Sequence, residues 1–302
     1  MKFSFIAVKK YSFAFSALIM LVALFALFTS ALNLGIDFTG GTLMQINLGR
    51  EFTLEEVRET LTPFGLQGSS LQKIGQEAPG EGITQEVLIR MPFLAPERQE
   101  AVFAAFRERY ALAEDAFLRV ENVGPVVGGE LQRQALWAML LASALMVLYI
   151  TVRFEVRFAI AAIVALLHDV LAIIAFFYLF RLEVNTPFVA AVLATLGYSI
   201  NATIIIFDRI RENLKSRRKE TLAAVVDGSI RQSLVRCLNS SLTTLLVLLA
   251  LYFFGGVTLR PFVTALIIGV VLGTYSSLFI AGPLWLAWKE AGASRKVRAK
   301  TA

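Results

Sequence analysis

The chain has 302 residues, of which 57% are hydrophobic and 17% charged; its mean hydropathy is +0.67. That balance excludes a single soluble domain and implies membrane spans of about 20 residues each. The net charge of +6 does not point to nucleic acid, because the basic residues flank hydrophobic spans and no aromatic–basic platform accompanies them. Cys237 is the only cysteine and His168 the only histidine. An internal disulfide, a cysteine zinc site and a multi-histidine metal centre are therefore excluded, and no cofactor is expected.

In chain order, a short basic N-terminus with Lys2, Lys9 and Lys10 precedes the apolar stretch Tyr11 to Leu32. Thr29-Ser30-Ala31 resembles a signal cleavage site, but the apolar core is longer than the ~7–15 residues of a signal sequence, so it reads as a first span. From Asn33 to Glu130 the composition is that of a soluble domain. Phe38 to Leu48 alternates like a strand. Thr53 with Glu56 three residues on forms a capping box for a helix over Thr53 to Pro63. Ser69 to Ile74 reads as a short strand, Pro79-Gly80-Glu81-Gly82 as a turn and Thr84 to Met91 as a strand. Pro96 to Tyr110 reads as an amphipathic helix carrying Val102, Phe103 and Phe106 on one side, and Phe117 to Val123 as a last strand. The order β-α-β-β-α-β is that of a ferredoxin-like split βαβ domain. Asp37 to Gly41 lacks the spacing and lysine of a phosphate loop and reads as a turn joining the first span to this domain.

Five more spans follow: Leu131 to Val152, Phe158 to Phe180, Pro187 to Phe207, Arg236 or Cys237 to Phe254, and Phe262 to Trp288. With the N-terminus inside, the cytoplasmic segments hold Arg153, Arg157, the run Arg209 to Lys219, Arg231 and the basic tail after residue 288. The short outer loops hold Arg181 and Arg260. This asymmetry orients six spans with both ends cytoplasmic and the soluble domain outside. Lys219 to Val235, with Leu222, Val225, Val226, Ile230 and Leu234 approximating one face, reads either as a cytoplasmic amphipathic helix along the lipid interface or as a helix packed on the cytoplasmic loops.

Polar residues inside the spans are the candidate site, because they are costly in lipid and usually face a bundle interior or a pathway. The fourth span carries Ser199, Asn201 and Thr203 and ends in Asp208-Arg209-Ile210-Arg211-Glu212. On the fifth, Arg236, Ser240, Thr243 and Thr244 recur at roughly helical spacing, and this stripe is expected to face Ser199, Asn201 and Thr203. The alternatives are interhelical hydrogen bonds of about 0.6 kcal/mol each and snorkelling of Arg236 to the interface. His168-Asp169 lies near the middle of the third span, as a structural pair or as a titrating group in a proton route. As neighbours on a helix the two are expected to point apart, and no nucleophile motif accompanies them. The chain is read as a non-enzyme.

Several motifs in order identify a resemblance. They are Gly35-Ile36-Asp37-Phe38-Thr39-Gly40-Gly41, Leu167-His168-Asp169-Val170, Gly197-Tyr198-Ser199-Ile200-Asn201, Phe207-Asp208-Arg209-Ile210-Arg211-Glu212-Asn213 and Phe254-Gly255-Gly256. Over nearly its whole length the chain resembles the SecF family of bacterial export proteins, related to the resistance-nodulation-division transporters. The resemblance implies partnership with SecD and with the SecYEG channel, in a lipid membrane, to pull an unfolded preprotein outward at the expense of the proton motive force. It also implies a proton pathway through an Asp after Asn201 and the Arg at 236.

Position 202 departs from that pattern: it is Ala. The substitution reads as engineered or function-removing, leaving a proton-uncoupled chain. The alternative is a natural homologue that uses Asp169 or a SecD residue. Three further classes stand beside the export reading. A drug-efflux fragment would have a larger outer domain and twelve spans. A passive translocon scaffold would not depend on the membrane potential. A membrane enzyme would need a nucleophile or a metal cluster.

Overall fold

The computed structural model describes residues 4–29, 32–74, 85–153, 155–216, 220–256 and 259–301, with side chains up to residue 291. The Pro79-Gly80-Glu81-Gly82 turn, Thr84, Lys2, Lys219 and the Ser30-Ala31 part of the cleavage-like site lie outside the described residues. The chain divides into two compact units, Leu34–Leu136 and Met1–Asn33 with Trp137–Ala302.

After α1 (Lys9–Phe28) and a two-residue strand β1 (Asn33–Leu34), the smaller unit follows a short helical turn. It runs α2 (Ile36–Thr39), β2 (Gly41–Asn47), α3 (Leu54–Leu61), β3 (Ser70–Ile74), β4 (Glu86–Met91), α4 (Pro96–Tyr110) and β5 (Phe117–Val123). From β2 onward the order is β-α-β-β-α-β. The sheet order is β3-β4-β2-β5, with every neighbouring pair antiparallel. Met44 lies opposite Ile89 on one side and Val120 on the other, and Ile46 opposite Val87. Met44, Ile46, Val87 and Ile89 pack with Val57 and Leu61 of α3 and Val102 and Phe106 of α4, forming one apolar core. Thr53 caps α3 by accepting the backbone N–H of Glu56 at 3.2 Å, the contact its capping-box spacing predicts.

The strand expected from Phe38 begins only at Gly41. Ahead of it the chain closes a helical turn, with the N–H groups of Phe38 and Thr39 donating to the carbonyl of Gly35. Gly41 has φ +138, and a Cβ there would lie 2.7 Å from the carbonyl oxygen of Met91. Only glycine fits this close backbone approach. Gly40 and Gly128 meet similarly, a Cβ on Gly128 falling 2.8 Å from the Gly40 nitrogen. The Gly-Gly pair thus seats the start of β2 against the head of the next helix.

That helix is α5 (Pro125–Arg153). It is followed by α6 (Val156–Leu179), the short strand β6 (Glu183–Val184), α7 (Thr186–Ser216), α8 (Leu222–Phe254), α9 (Arg260–Ser276), a π-helical turn at Ser277–Ala281 and α10 (Gly282–Thr301). Among the described residues, six helices are long and apolar enough to cross a membrane, the last combining α9, the π turn and the start of α10. The Asp208 to Asn213 run does not leave the helix but continues it to Ser216. Residues 222–235 likewise form no separate helix. They are the first part of an unbroken α8, in which Val225 is buried and Val226 and Ile230 share one core with Phe158, Trp285 and Leu286. Asp227 fastens the start of the chain to it. Its Oδ1 accepts the Ser4 hydroxyl at 2.9 Å and the Ile6 N–H at 3.2 Å, while its Oδ2 accepts Arg231 at 2.6 Å.

The most extensive helix pairing is α7 with α9. Gly269 and Gly273, one turn apart on α9, let the backbones approach. A Cβ on Gly269 would lie 2.4 Å from the Thr195 side chain, and one on Gly273 2.9 Å from the Ser199 Cβ. Small residues four apart are the usual means by which helices approach closely in lipid, where the hydrophobic effect does not drive them together. This crossing fixes the two helix faces from which the polar site is built.

Candidate functional site

Asp169 and His168 sit mid-way along α6, at 0% and 1% exposure. They do not point apart. His168 Nδ1 and Asp169 Oδ1 are 3.0 Å from each other. Successive helix positions diverge by about 100°, but α6 is buried over a wide arc by α1, α7 and α9, so both side chains turn inward and meet. The second carboxylate oxygen, Oδ2, accepts the hydroxyl of Ser199 on α7 and that of Ser276 on α9, the latter at 2.8 Å. Three partners on three helices therefore converge on one buried carboxyl group, which satisfies the requirement that a buried polar group be hydrogen-bonded.

Hydroxyls extend the cluster in both directions. Thr203 Oγ1 and Ser277 Oγ are 2.9 Å apart, and Ser277 donates to the Gly273 carbonyl at 2.7 Å. Ser241 of α8 and Thr274 of α9 are 2.6 Å apart, and the Tyr198 hydroxyl donates to Ser241 at 2.9 Å. Ser276 and Ser277 stand where α9 passes into its π turn, a distortion that often marks functional sites. Two buried polar atoms at this level have no partner, Nε2 of His168 and Oγ1 of Thr195. Among the described residues no group of three or more His, Cys, Asp or Glu side chains is placed to hold a metal ion. The arrangement is suited to holding and passing a proton.

The polar face expected between the fourth and fifth spans is built differently. Ser199 and Thr203 turn away from the α8 stripe, towards α6 and α9. The hydroxyls of Thr243 and Thr244 bond back to carbonyls of their own helix, and Arg236, Asn239 and Ser240 are exposed. Asn201 is exposed as well, and Ala202 is 8% exposed, packed in the same core as Cys237. The bonds Tyr198–Ser241 and Asn213–Ser229 run α7 and α8 antiparallel, which brings residues 201–202 to the level of Arg236. None of the described ion pairs includes Arg236. Beyond the apolar part of α7, Asp208 pairs with Arg153 at 3.8 Å and with Arg211 at 3.7 Å, and Arg209 with Glu212 at 2.8 Å. All are partly exposed pairs of roughly 0–1 kcal/mol. Gly35, Asp37, Phe38, Gly40 and Gly41 belong to the smaller unit, at the entry to its sheet.

Ser276, Ser277 and Thr274 were not singled out by sequence reasoning. Hydroxyls on an apolar helix look like ordinary interhelical bonds, and the signal that marks them is their position directly after the Gly269/Gly273 pair.

The sequence matches two family descriptions, "Protein export membrane protein SecD/SecF, C-terminal" over residues 104–291 and "SecD/SecF GG Motif" over residues 25–50. The chain belongs to the SecD/SecF family. It is 44% identical to the protein translocase subunit SecF of Sebaldella termitidis over 90% of this chain and 87% of that one. It is 36% identical to the protein translocase subunit SecDF of Bacillus subtilis over 95% of this chain and 38% of the other. The crystal structure of SecDF from Thermus thermophilus, a translocon-associated membrane protein, superposes with a TM-score of 0.85 at 36% identity, over 96% of this chain and 39% of that one. The chain thus spans most of a separate SecF and well under half of a fused SecDF. As a member of this family it is a multi-pass membrane protein of the Sec pathway, with SecD as its counterpart, and its Gly40-Gly41 pair falls within the matched Gly-Gly motif.

Proposed function

We propose that this chain is the SecF half of a SecD–SecF motor that uses the proton motive force to draw a translocating chain outward late in export through SecYEG. On this reading it lies in the inner membrane with both termini cytoplasmic. The smaller unit, ferredoxin-like in its strand order, faces the periplasm. The observation that carries the reading is the buried Asp169 carboxylate, held by His168, Ser199 and Ser276 in the middle of a membrane bundle. Moving one charge through the field supplies about 2.3 kcal/mol per 100 mV, enough to bias a two-state motion.

A second reading is favoured by Ala202. The face shared by Asn201, Ala202 and Arg236 has no carboxylate from this chain at position 202, so the chain is either uncoupled and acts as a passive scaffold of the translocon, or is coupled through Asp169. Export into vesicles containing SecD, SecYEG and the chain as written, Ala202→Asp or Asp169→Asn separates these. Dependence on the proton gradient that is lost in Asp169→Asn supports coupling through Asp169. Dependence gained only in Ala202→Asp makes the chain an uncoupled form. Export indifferent to the gradient in every variant supports the scaffold.

A further inference from the structure

Among the described residues, the His168–Asp169 pair has one buried polar atom without a partner. His168 uses Nδ1 to bond Asp169, and its other ring nitrogen, Nε2, is buried with no partner. A neutral imidazole carries a proton on one nitrogen and a lone pair on the other. Whichever tautomer is present, the pair therefore presents one unused proton-donor or proton-acceptor position to the interior. The His168 ring lies beside Tyr275, with centroids 6.1 Å apart.

Tyr275 in turn leads away from the cluster. Its hydroxyl donates to the Ser12 carbonyl on α1 at 3.0 Å and lies 3.3 Å from the Ser16 hydroxyl. Ser12 and Ser16 are buried at 8% and 5% exposure, although most of α1 presents apolar side chains outward. Ser12 lies within one turn of Lys9, the first residue of α1, whose Nζ is 3.7 Å from Glu290 at a partly exposed end of the bundle. The Ser16 hydroxyl and the Ser12 carbonyl meet the Tyr275 hydroxyl, while the Ser12 hydroxyl bonds back to the Val8 carbonyl at 3.3 Å, so buried polar groups run along α1 from the middle of the bundle towards that end.

We propose that His168 is a proton-relay residue and that the hydroxyls of Tyr275 and Ser16 form its branch towards the Lys9–Glu290 end of the bundle, with the Ser12 carbonyl orienting the Tyr275 hydroxyl. This deepens the reading of Asp169 as the coupling carboxylate and rests on it. In the step, Asp169 Oδ1–H gives its proton to His168 Nδ1 while Nε2–H gives its proton to water on the Tyr275 side. Asp169 becomes a carboxylate, the imidazole remains neutral in its other tautomer, and one hydronium proton leaves along the hydroxyl branch. Reprotonation of Asp169 reaches the opposite oxygen, which Ser199 and Ser276 hold.

The titratable groups around the pair are few. Tyr275 faces it from α9, and α1 contributes Ser12 and Ser16 with no buried charge. Tyr198 points from α7 to Ser241 on α8, and Cys237 lies buried on α8. The other buried carboxylate of this unit, Asp227, is engaged by Ser4, Ile6 and Arg231.

The test measures gradient-driven proton release from vesicles containing the full chain and SecD, with a pH-sensitive dye on the release side and across a range of pH. The variants are His168→Gln, Tyr275→Phe and Asp169→Asn, each first checked for co-purification with SecD. Tyr275→Phe keeps the ring beside His168 and removes only the hydroxyl. The expected result is slowing on the order of a hundredfold in His168→Gln, the low end for loss of a positioned proton-transfer group. A smaller slowing is expected in Tyr275→Phe, steepest at high pH where protons are scarce. A merely structural Tyr275 would change yield without changing the pH profile. If Asp169→Asn abolishes release while His168→Gln and Tyr275→Phe retain the parent rate and profile, the relay is wrong and Asp169 discharges by another route. If Asp169→Asn itself releases protons normally, the reading of Asp169 fails and the relay with it.

Discussion

The hydroxyl of Ser199 on α7 donates to Oδ2 of Asp169 on α6. This bond joins the motif residue of one helix to the motif residue of another, and Ser276 completes it from α9 on the same oxygen.

Removing the carboxylate leaves its donors behind. Asp169→Ala strands His168 Nδ1 and Ser199, whereas Ser276 keeps its 3.2 Å bond to the Gly273 carbonyl. Each stranded buried group costs about 1–3 kcal/mol. Thermal unfolding in detergent is expected to show Asp169→Ala clearly less stable than Asp169→Asn, which retains an acceptor oxygen. Equal stability would mean that the donors find other partners.

Gly269 sets the distance between α7 and α9. In Gly269→Ala the new methyl falls 2.4 Å from the Thr195 side chain, so one helix must shift, at about 1–3 kcal/mol. Thr195→Ala in the same chain is expected to recover part of the loss, and a double-mutant cycle on unfolding temperature measures the coupling. Independent effects would place the strain elsewhere.

Gly41 is tested separately, in the smaller unit. Gly41→Ala forces an L-residue to φ +138 and a methyl to 2.7 Å from a backbone oxygen. Strained backbone of this kind costs roughly 1–3 kcal/mol. Hydrogen exchange is expected to accelerate across β2 and β4, with the helices of the membrane unit unchanged. Uniform acceleration over the whole chain would contradict a local effect.

Thr53→Ala removes the cap of α3. About 1 kcal/mol is expected, read as faster exchange of the Glu56 amide and its neighbours. An unchanged Glu56 amide would show that the 3.2 Å bond contributes nothing.

These residues also show what sequence makes visible. Thr53 with Glu56 is a local signal, because the capping bond closes within four residues. The six apolar helices are similarly legible, since lipid requires long uninterrupted hydrophobic runs. The strand alternation misled at Phe38 because β2 is buried on both faces of its sheet. Leu43 and Gln45 are buried at 3% and 7% exposure beside Met44 and Ile46, so no clean inside–outside rhythm marks where the strand begins. The His168–Asp169 contact was hidden by a rule for helices with one buried side, which α6 does not obey. The turning of Ser199 towards α6 rather than α8 depends on the α7–α9 crossing, a tertiary fact carried by two glycines, Gly269 and Gly273, far downstream in the chain.

The unbroken α8 has a mechanical consequence. Its 33 residues make a rod about 50 Å long, against a hydrocarbon layer of about 30 Å. Roughly 20 Å of that rod therefore stands clear of the lipid as a handle. The Ser4–Asp227 and Ile6–Asp227 bonds yoke the beginning of the chain to this handle. Leu248 stands 21 residues beyond Asp227 on the same unbroken helix, about 30 Å further along the rod, so the attachment point of the first residues and Leu248 are joined by continuous helix without a hinge.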